Sequence, residues 1–235
     1  MPVHKRRRAS ATRPKPPKTP KSRRGRRLAA VDREQQILAG AVRYFAEVGF
    51  GGQTRELAQR LGITQPLLYR YFPTKRALIE RVFAEVFLKR VDPQWSRLLA
   101  DRSRPLEDRL LDFYERYARA TYTYEWIRLY MFSALLGNSI NRRYIKIVEA
   151  KILKPICGEI RHACGLPAPD RVPIGELELE HVWVMHGGLF YYAVRKYIYH
   201  SRVGGNFAAI VQRSVAAMLA GIRAIGLKDA KGARR

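Results

Sequence analysis

The sequence predicts an all-α protein of about nine or ten helices, and three observations carry that prediction. From Asp32 onward apolar residues recur at three- to four-residue spacing, the period of a helix with one buried face. No stretch alternates apolar and polar residues long enough to make a strand. Capping residues and breakers fall about one helix length apart, and no repeat of fixed period underlies them. With 235 residues, 47% of them apolar, the chain can form one large domain or two small ones around a packed core.

Charge divides the chain before periodicity does. The formal net charge is +25, and twelve Lys and Arg precede the first acid, Asp32. Residues 1–30 also hold five prolines and few large apolar side chains, so they cannot bury enough surface to offset their ordering entropy. They are expected to be a disordered basic arm suited to a polyanion such as DNA, through counterion release.

Beyond the arm, each element follows from local chemistry. Asp32 and Gln35 form a capping-box pattern, Ile37, Leu38, Ala41, Phe45 and Val48 supply the buried stripe, and Gly49 stops the first helix. A second short helix spans 53–61 and ends at Gly62. Thr64 caps a third helix, 65–72, where Pro66 does no harm because first-turn amides have no intrahelical acceptor. Two short helices joined by a glycine turn make a helix-turn-helix. Pro73 closes it, and Thr74 caps a fourth helix with the stripe Leu78, Ile79, Val82, Phe83, Val86 and Phe87, broken at Asp92-Pro93. Further helices are expected at 93–101, 105–122, 125–136, 140–163 with an interruption at Pro155, 176–200 and 206–226, with a Pro/Gly-rich loop at 165–175. The domains this implies are the arm 1–30, a DNA-binding domain 31–80, a helical domain 81–227 and a flexible basic tail 228–235.

The ordered series Ile37-Leu38-Ala39-Gly40-Ala41, Phe45-Ala46-Glu47-Val48-Gly49-Phe50, Thr54-Arg55-Glu56-Leu57-Ala58, Leu61-Gly62-Ile63-Thr64 and Leu68-Tyr69-Arg70-Tyr71-Phe72-Pro73-Thr74-Lys75 resembles the DNA-binding domain of the TetR/AcrR family of transcriptional regulators. Two departures from the family pattern stand out. The loop after Phe50 is a residue shorter, and Gly52-Gln53 replaces the Thr pair that commonly opens the second helix, which leaves Thr54 and the free amides there to meet phosphate. The third helix enters the major groove in such domains, so Thr64, Gln65, Pro66, Leu67, Tyr69 and Arg70 are expected to face double-stranded DNA. Gln65 suits adenine, Arg70 guanine, and Leu67 or Pro66 a thymine methyl. The resemblance assigns Tyr69, Tyr71 and Lys75 to the phosphate backbone, with Arg55 a further candidate.

The resemblance also implies a repressor that acts as a homodimer and is released by a small-molecule effector, with the dimer formed by the last two helices. Those helices carry broad apolar faces punctuated by small residues, which let helix axes approach closely. Tyr114, Tyr117, Tyr122, Tyr124, Trp126, Tyr130, Trp183 and Tyr191 cluster in the helices that would enclose an effector. Of these, Tyr114, Tyr117, Trp126, Tyr130, Trp183 and Tyr191 are the candidate pocket residues.

Other chemistry finds little support. The nucleophile elbow, the phosphate-binding Gly-Lys-Ser loop and the dinucleotide fingerprint are all missing from the sequence, and the spacing of Cys157, His162 and Cys164 fits no zinc pattern. No enzyme, cofactor or metal is therefore expected. The best apolar run, 182–194, is interrupted by His186, Gly187 and Gly188, which argues against a membrane span. Two cysteines and no secretory h-region point to the cytoplasm. Two alternatives stay open: a nonspecific charge-driven DNA-binding protein, for which the arm speaks, and an enzyme or lipid-binding module on the same scaffold, for which the aromatic-rich C-terminal region speaks.

Overall fold

The computed structural model describes residues 23–135 and 139–232, with side chains described over 31–135 and 141–224. The elements are α1 (Arg23–Val48), α2 (Thr54–Arg60), α3 (Gln65–Tyr71), α4 (Lys75–Phe83), α5 (Gln94–Ala100), α6 (Leu106–Thr121), α7 (Tyr124–Leu135), α8 (Ser139–Val148), α9 (Lys154–Ala163), α10 (Glu176–Tyr197) and α11 (Phe207–Gly232). A π-helical turn, Ala84–Leu88, continues α4, and a second, Glu149–Leu153, joins α8 to α9, so the segments make ten helical rods. Among the described residues there is no strand. The protein is all-α, as the periodicity predicts.

Three boundaries differ from expectation. First, α1 begins at Arg23, so Asp32 lies inside a helix and caps nothing, and residues 23–30 are not an unstructured arm. After Pro20 the chain is rich in Arg, Leu and Ala, strong helix formers that let the helix propagate upstream. The rest of the arm, 1–22, lies outside the described residues. Second, α11 reaches Gly232, through the start of the expected tail, since 227–231 contain no breaker; 233–235 lie outside the described residues. Third, the disturbance assigned to Pro155 sits just before it. The π-helical turn Glu149–Leu153 directly precedes α9, and Pro155 is the second residue of that helix, so the irregularity in the hydrogen-bond ladder falls beside the residue that lacks an N–H.

By internal contacts the chain divides into Met1–Gln36 and Ile37–Arg235. The core belongs to the second unit. Ile37, Leu38, Phe45, Leu57, Leu68, Phe72, Leu78 and Val82 are buried from the first four helices. Gly49, at φ +80°, turns the chain out of α1 directly against the Phe132 ring, where a side chain would meet both strain and a close contact. Gly62, at φ +63°, makes the turn between α2 and α3. Thr64 accepts from the Leu67 amide at 3.3 Å and Thr74 from the Ala77 amide at 3.0 Å, the two predicted N-caps.

Downstream, two arginines organise the helices. Arg109 of α6 bonds Glu159 of α9 at 2.7 Å and also donates to the Leu99 carbonyl of α5. Arg161 holds Glu178 at the start of α10 and donates to the carbonyls of Pro167, Val172 and Pro173, so it folds the loop between α9 and α10 around one guanidinium. In α11 the stretch Phe207–Ala224 is long and apolar enough to cross a bilayer by composition, a longer run than the 182–194 singled out from sequence. Val211, Val215 and Leu219 pack inward, while the small residues Ala216, Ala217, Ala220 and Gly221 are exposed.

Candidate functional site

The turn between α2 and α3 is fastened by one hydroxyl. Thr54, only 7% exposed, accepts from Gln65 Nε2 at 3.2 Å and pairs with the Tyr69 hydroxyl at 2.9 Å. Three of the predicted DNA contacts are thus brought together, and Thr54 is set inside as the clasp between helices. Gln65 keeps its amide oxygen for an outside donor. Thr64, Pro66 and Arg70 are exposed and Leu67, Tyr69 and Tyr71 half-buried, so α3 offers a mixed polar and apolar surface, while Leu68 anchors its back.

Lys75, in the first turn of α4, donates to the Gly51 carbonyl at 3.1 Å, which ties that helix to the loop after α1. Arg55 of α2, Arg70 of α3 and Arg76 of α4 are exposed, and none of them has a carboxylate partner among the described residues. Arg60 behaves differently, because Glu47 and Glu56 hold it at 2.5 and 2.9 Å and raise its pKa. Exposed guanidiniums without carboxylate partners are free to meet a polyanion. Arg76 was missed in the sequence; its position directly after Lys75 was the available signal.

A second omission is Arg128 of α7. Its guanidinium donates to the Ala46 and Glu47 carbonyls at 2.5 and 3.1 Å, capping the C-terminal end of α1 from the neighbouring helix. It lies over the Tyr124 and Phe132 rings at 5.3 and 5.2 Å. The α1 end thereby depends on α7, two residues from Trp126 and Tyr130. Arg128→Ala is expected to cost about 2 kcal/mol in urea unfolding, the worth of a charged hydrogen bond. A loss below a few tenths would show that the contact is only incidental.

The aromatic candidates divide. Tyr114, Tyr117 and Trp126 are fully buried, and together with Tyr130, Phe87, Tyr144 and Phe190 they form one ring cluster: Trp126 stacks on Tyr130 at 5.1 Å, and Phe113 joins Tyr114 to Tyr117. Trp183 reaches the cluster through His186, 5.9 Å away. Tyr191 does not join it; it is 51% exposed and packs on Tyr199. Among these rings the Tyr117 hydroxyl meets that of Tyr144 at 3.1 Å. Burial depresses His186 to about 4 and pushes the Tyr114 and Tyr117 hydroxyls up, so the cluster carries no charge near neutrality. Beside it lies an open cleft of about 470 Å³, lined by Tyr122, Tyr192, Tyr197, Phe207, Arg119 and Lys196 among others.

Two short helices locked at a glycine turn, the second with Arg70 exposed, make a helix-turn-helix. Residues 37–82 match the profile of the bacterial regulatory proteins, tetR family. The chain is 36% identical over 86 residues to the tetracycline repressor protein class A from transposon 1721 of Escherichia coli, a match that covers 33% of this chain and 39% of that repressor. The chain therefore aligns with well under half the length of that curated relative. Across the fold it is similar to two solved structures assigned to the TetR family. One, from Mesorhizobium loti MAFF303099, has a TM-score of 0.51 at 14% identity and covers 83% of this chain and 96% of that one. The other, from Streptomyces coelicolor, has a TM-score of 0.51 at 18% identity and covers 83% and 82%.

Proposed function

We propose that the protein is a homodimeric repressor that reads a near-palindromic operator through α3 and leaves it when a small molecule occupies the helical domain. The observation that carries the reading is the Thr54–Gln65–Tyr69 clasp, which fixes α3 against α2 while Arg70 stays exposed on α3. Sequence is read by side chains on a pre-positioned helix, and phosphates by the charges around it. Dimerisation is supported by an uncovered face. Leu177, Val184 and Tyr191, spaced seven apart on α10, are 78%, 74% and 51% exposed, and the exposed alanines of α11 would permit close helix approach. Effector release requires that the ligand prefer one of two dimer geometries, since equal binding to both would shift nothing. Arg128 supports a route for that preference, because it joins α7 to the end of α1.

The test is selection of the full chain on random duplexes at two salt concentrations, with sedimentation velocity on the unbound protein. The reading expects a dimer and an enriched palindrome with half-sites about 34–36 Å apart or a multiple of this. Lys75→Ala is expected to weaken all sequences alike, whereas Gln65→Ala should lose about 1–3 kcal/mol on the selected site and relax one base position. Uniform loss from both variants would refute the division of roles. Binding without any enrichment would leave a charge-driven DNA-binding protein.

A further inference from the structure

Four buried polar atoms in and beside the aromatic cluster have no hydrogen-bond partner among the described residues: the hydroxyls of Tyr114 and Tyr122, Trp126 Nε1 and His186 Nδ1. Buried polar groups in native proteins are nearly always paired, and each exception needs an occupant or an explanation. Ring contacts link their residues into one continuous series. The Tyr114 and His186 rings are 5.9 Å apart, Tyr117 bridges His186 to Tyr122 at 5.2 and 5.8 Å, and Phe190 lies 6.4 Å from Tyr122 and 6.3 Å from Trp126. General crowding does not account for them, because Tyr117 and Tyr144 in the same cluster find each other.

Their chemistry restricts what could complete them. Trp126 Nε1 only donates, the two hydroxyls donate or accept, and His186 Nδ1 does either according to its tautomer. Rings flank each of the four, Phe113 beside Tyr114, Tyr117 beside His186 and Tyr122, and Phe190 beside Trp126, so a flat molecule can stack against them where a branched one cannot. None of the rings in contact with His186, those of Tyr114, Tyr117 and Trp183, brings a charge, so an ionic ligand would lose its hydration without gaining a counterion. Tyr122 is also part of the wall of the open cleft, together with Phe207 at 5.9 Å, so the series of unpaired groups borders the cleft at that residue.

We propose that the cluster is a closed binding site for a flat, uncharged aromatic molecule with hydrogen-bonding substituents, which enters from the cleft past Tyr122 and pairs with Tyr114, Trp126 and His186. The inference rests on the effector-release reading above and gives that effector its chemical class. The site opens only when occupied, which makes it a minor conformation stabilised by its ligand.

Three probes of one shape separate the requirements: 2-naphthol, naphthalene and 2-naphthoate, titrated calorimetrically into the full chain at pH 7. The expected result is that 2-naphthol binds at least tenfold more tightly than either of the others. Tyr114→Phe and Trp126→Phe should each weaken 2-naphthol at least fivefold. Tyr114→Phe should leave the ligand-free Tm unchanged or higher, because it removes an unpaired hydroxyl; that outcome excludes simple misfolding. Equal affinity for all three probes, no binding of 2-naphthol, or indifference to both substitutions would overturn the proposal. Operator affinity is read separately. If 2-naphthol binds through Tyr114 and Trp126 without loosening the operator, the effector reading fails and the site stands. Release by a compound whose binding ignores both residues overturns the site and keeps the effector reading.

Discussion

Replacing Glu159 with alanine is expected to remove about 3–5 kcal/mol of folding stability, because it strands the Arg109 guanidinium in the core without a counter-charge. The Arg109 side chain is 3% exposed and that of Glu159 11%, and they meet at 2.7 Å. Burial pushes the Glu159 carboxyl up, but the hydrogen bonds from Arg102 and Arg109 outweigh it and hold the pKa below its ordinary value. The carboxylate contributes stability above the ordinary carboxylate range and loses it as pH falls through the lowered value. The pair closes a three-way joint, since Arg109 also donates to the Leu99 carbonyl and so links α5, α6 and α9. The combined Arg109→Met, Glu159→Leu variant is expected to lose less than half as much as Glu159→Ala alone, since no charge is then left buried. Urea unfolding of the three proteins measures this. A Glu159→Ala loss under about 1 kcal/mol would mean that Arg109 finds water, and the joint would count as ordinary packing.

What was legible in the sequence was local. Thr64, Thr74, Gly49 and Gly62 announce their turns because a cap or a positive φ depends on the residue itself and its nearest neighbours. Asp32 misled for the same reason: it has the chemistry of a cap, and only the continuous helix from Arg23 deprives it of that role. The groups that make the site specific pair at long range. Thr54 reaches Tyr69 across the turn, Arg109 finds Glu159 fifty residues on, and Arg128 reaches back eighty-two to Ala46. No periodicity encodes such partners. The aromatic residues could be named as a set, but which of their polar atoms go unpaired depends on how α6, α7 and α10 pack. The recognition helix lies between these cases. Its exposed face follows from the helix-turn-helix spacing, yet the inward turn of Thr54 appears only once Gln65 and Tyr69 are in place.

Stability is expected to fall by about 3 kcal/mol between neutral pH and pH 4 on account of His186 alone, since the gap between an ordinary histidine at 6.5 and one at about 4 is worth that much at full protonation. The cause is burial. The ring lies among Tyr114, Tyr117 and Trp183, none of which ionises in that range or supplies a negative charge. The folded chain therefore holds the ring neutral while the unfolded chain protonates it. Between the two values the unfolded state binds more protons, so the contribution is fully present above about 6.5 and is lost as pH falls toward 4. Glu159 acts lower, because its folded value lies below the ordinary 4.5. His186→Leu removes the titration and keeps an apolar side chain of similar bulk, so its stability curve should be flat over the window in which the parent declines. Urea midpoints at pH 7, 6, 5 and 4 for both proteins decide the matter. Parallel curves would place the proton elsewhere and imply that the Nδ1 left unpaired in the ligand-free cluster is already hydrated.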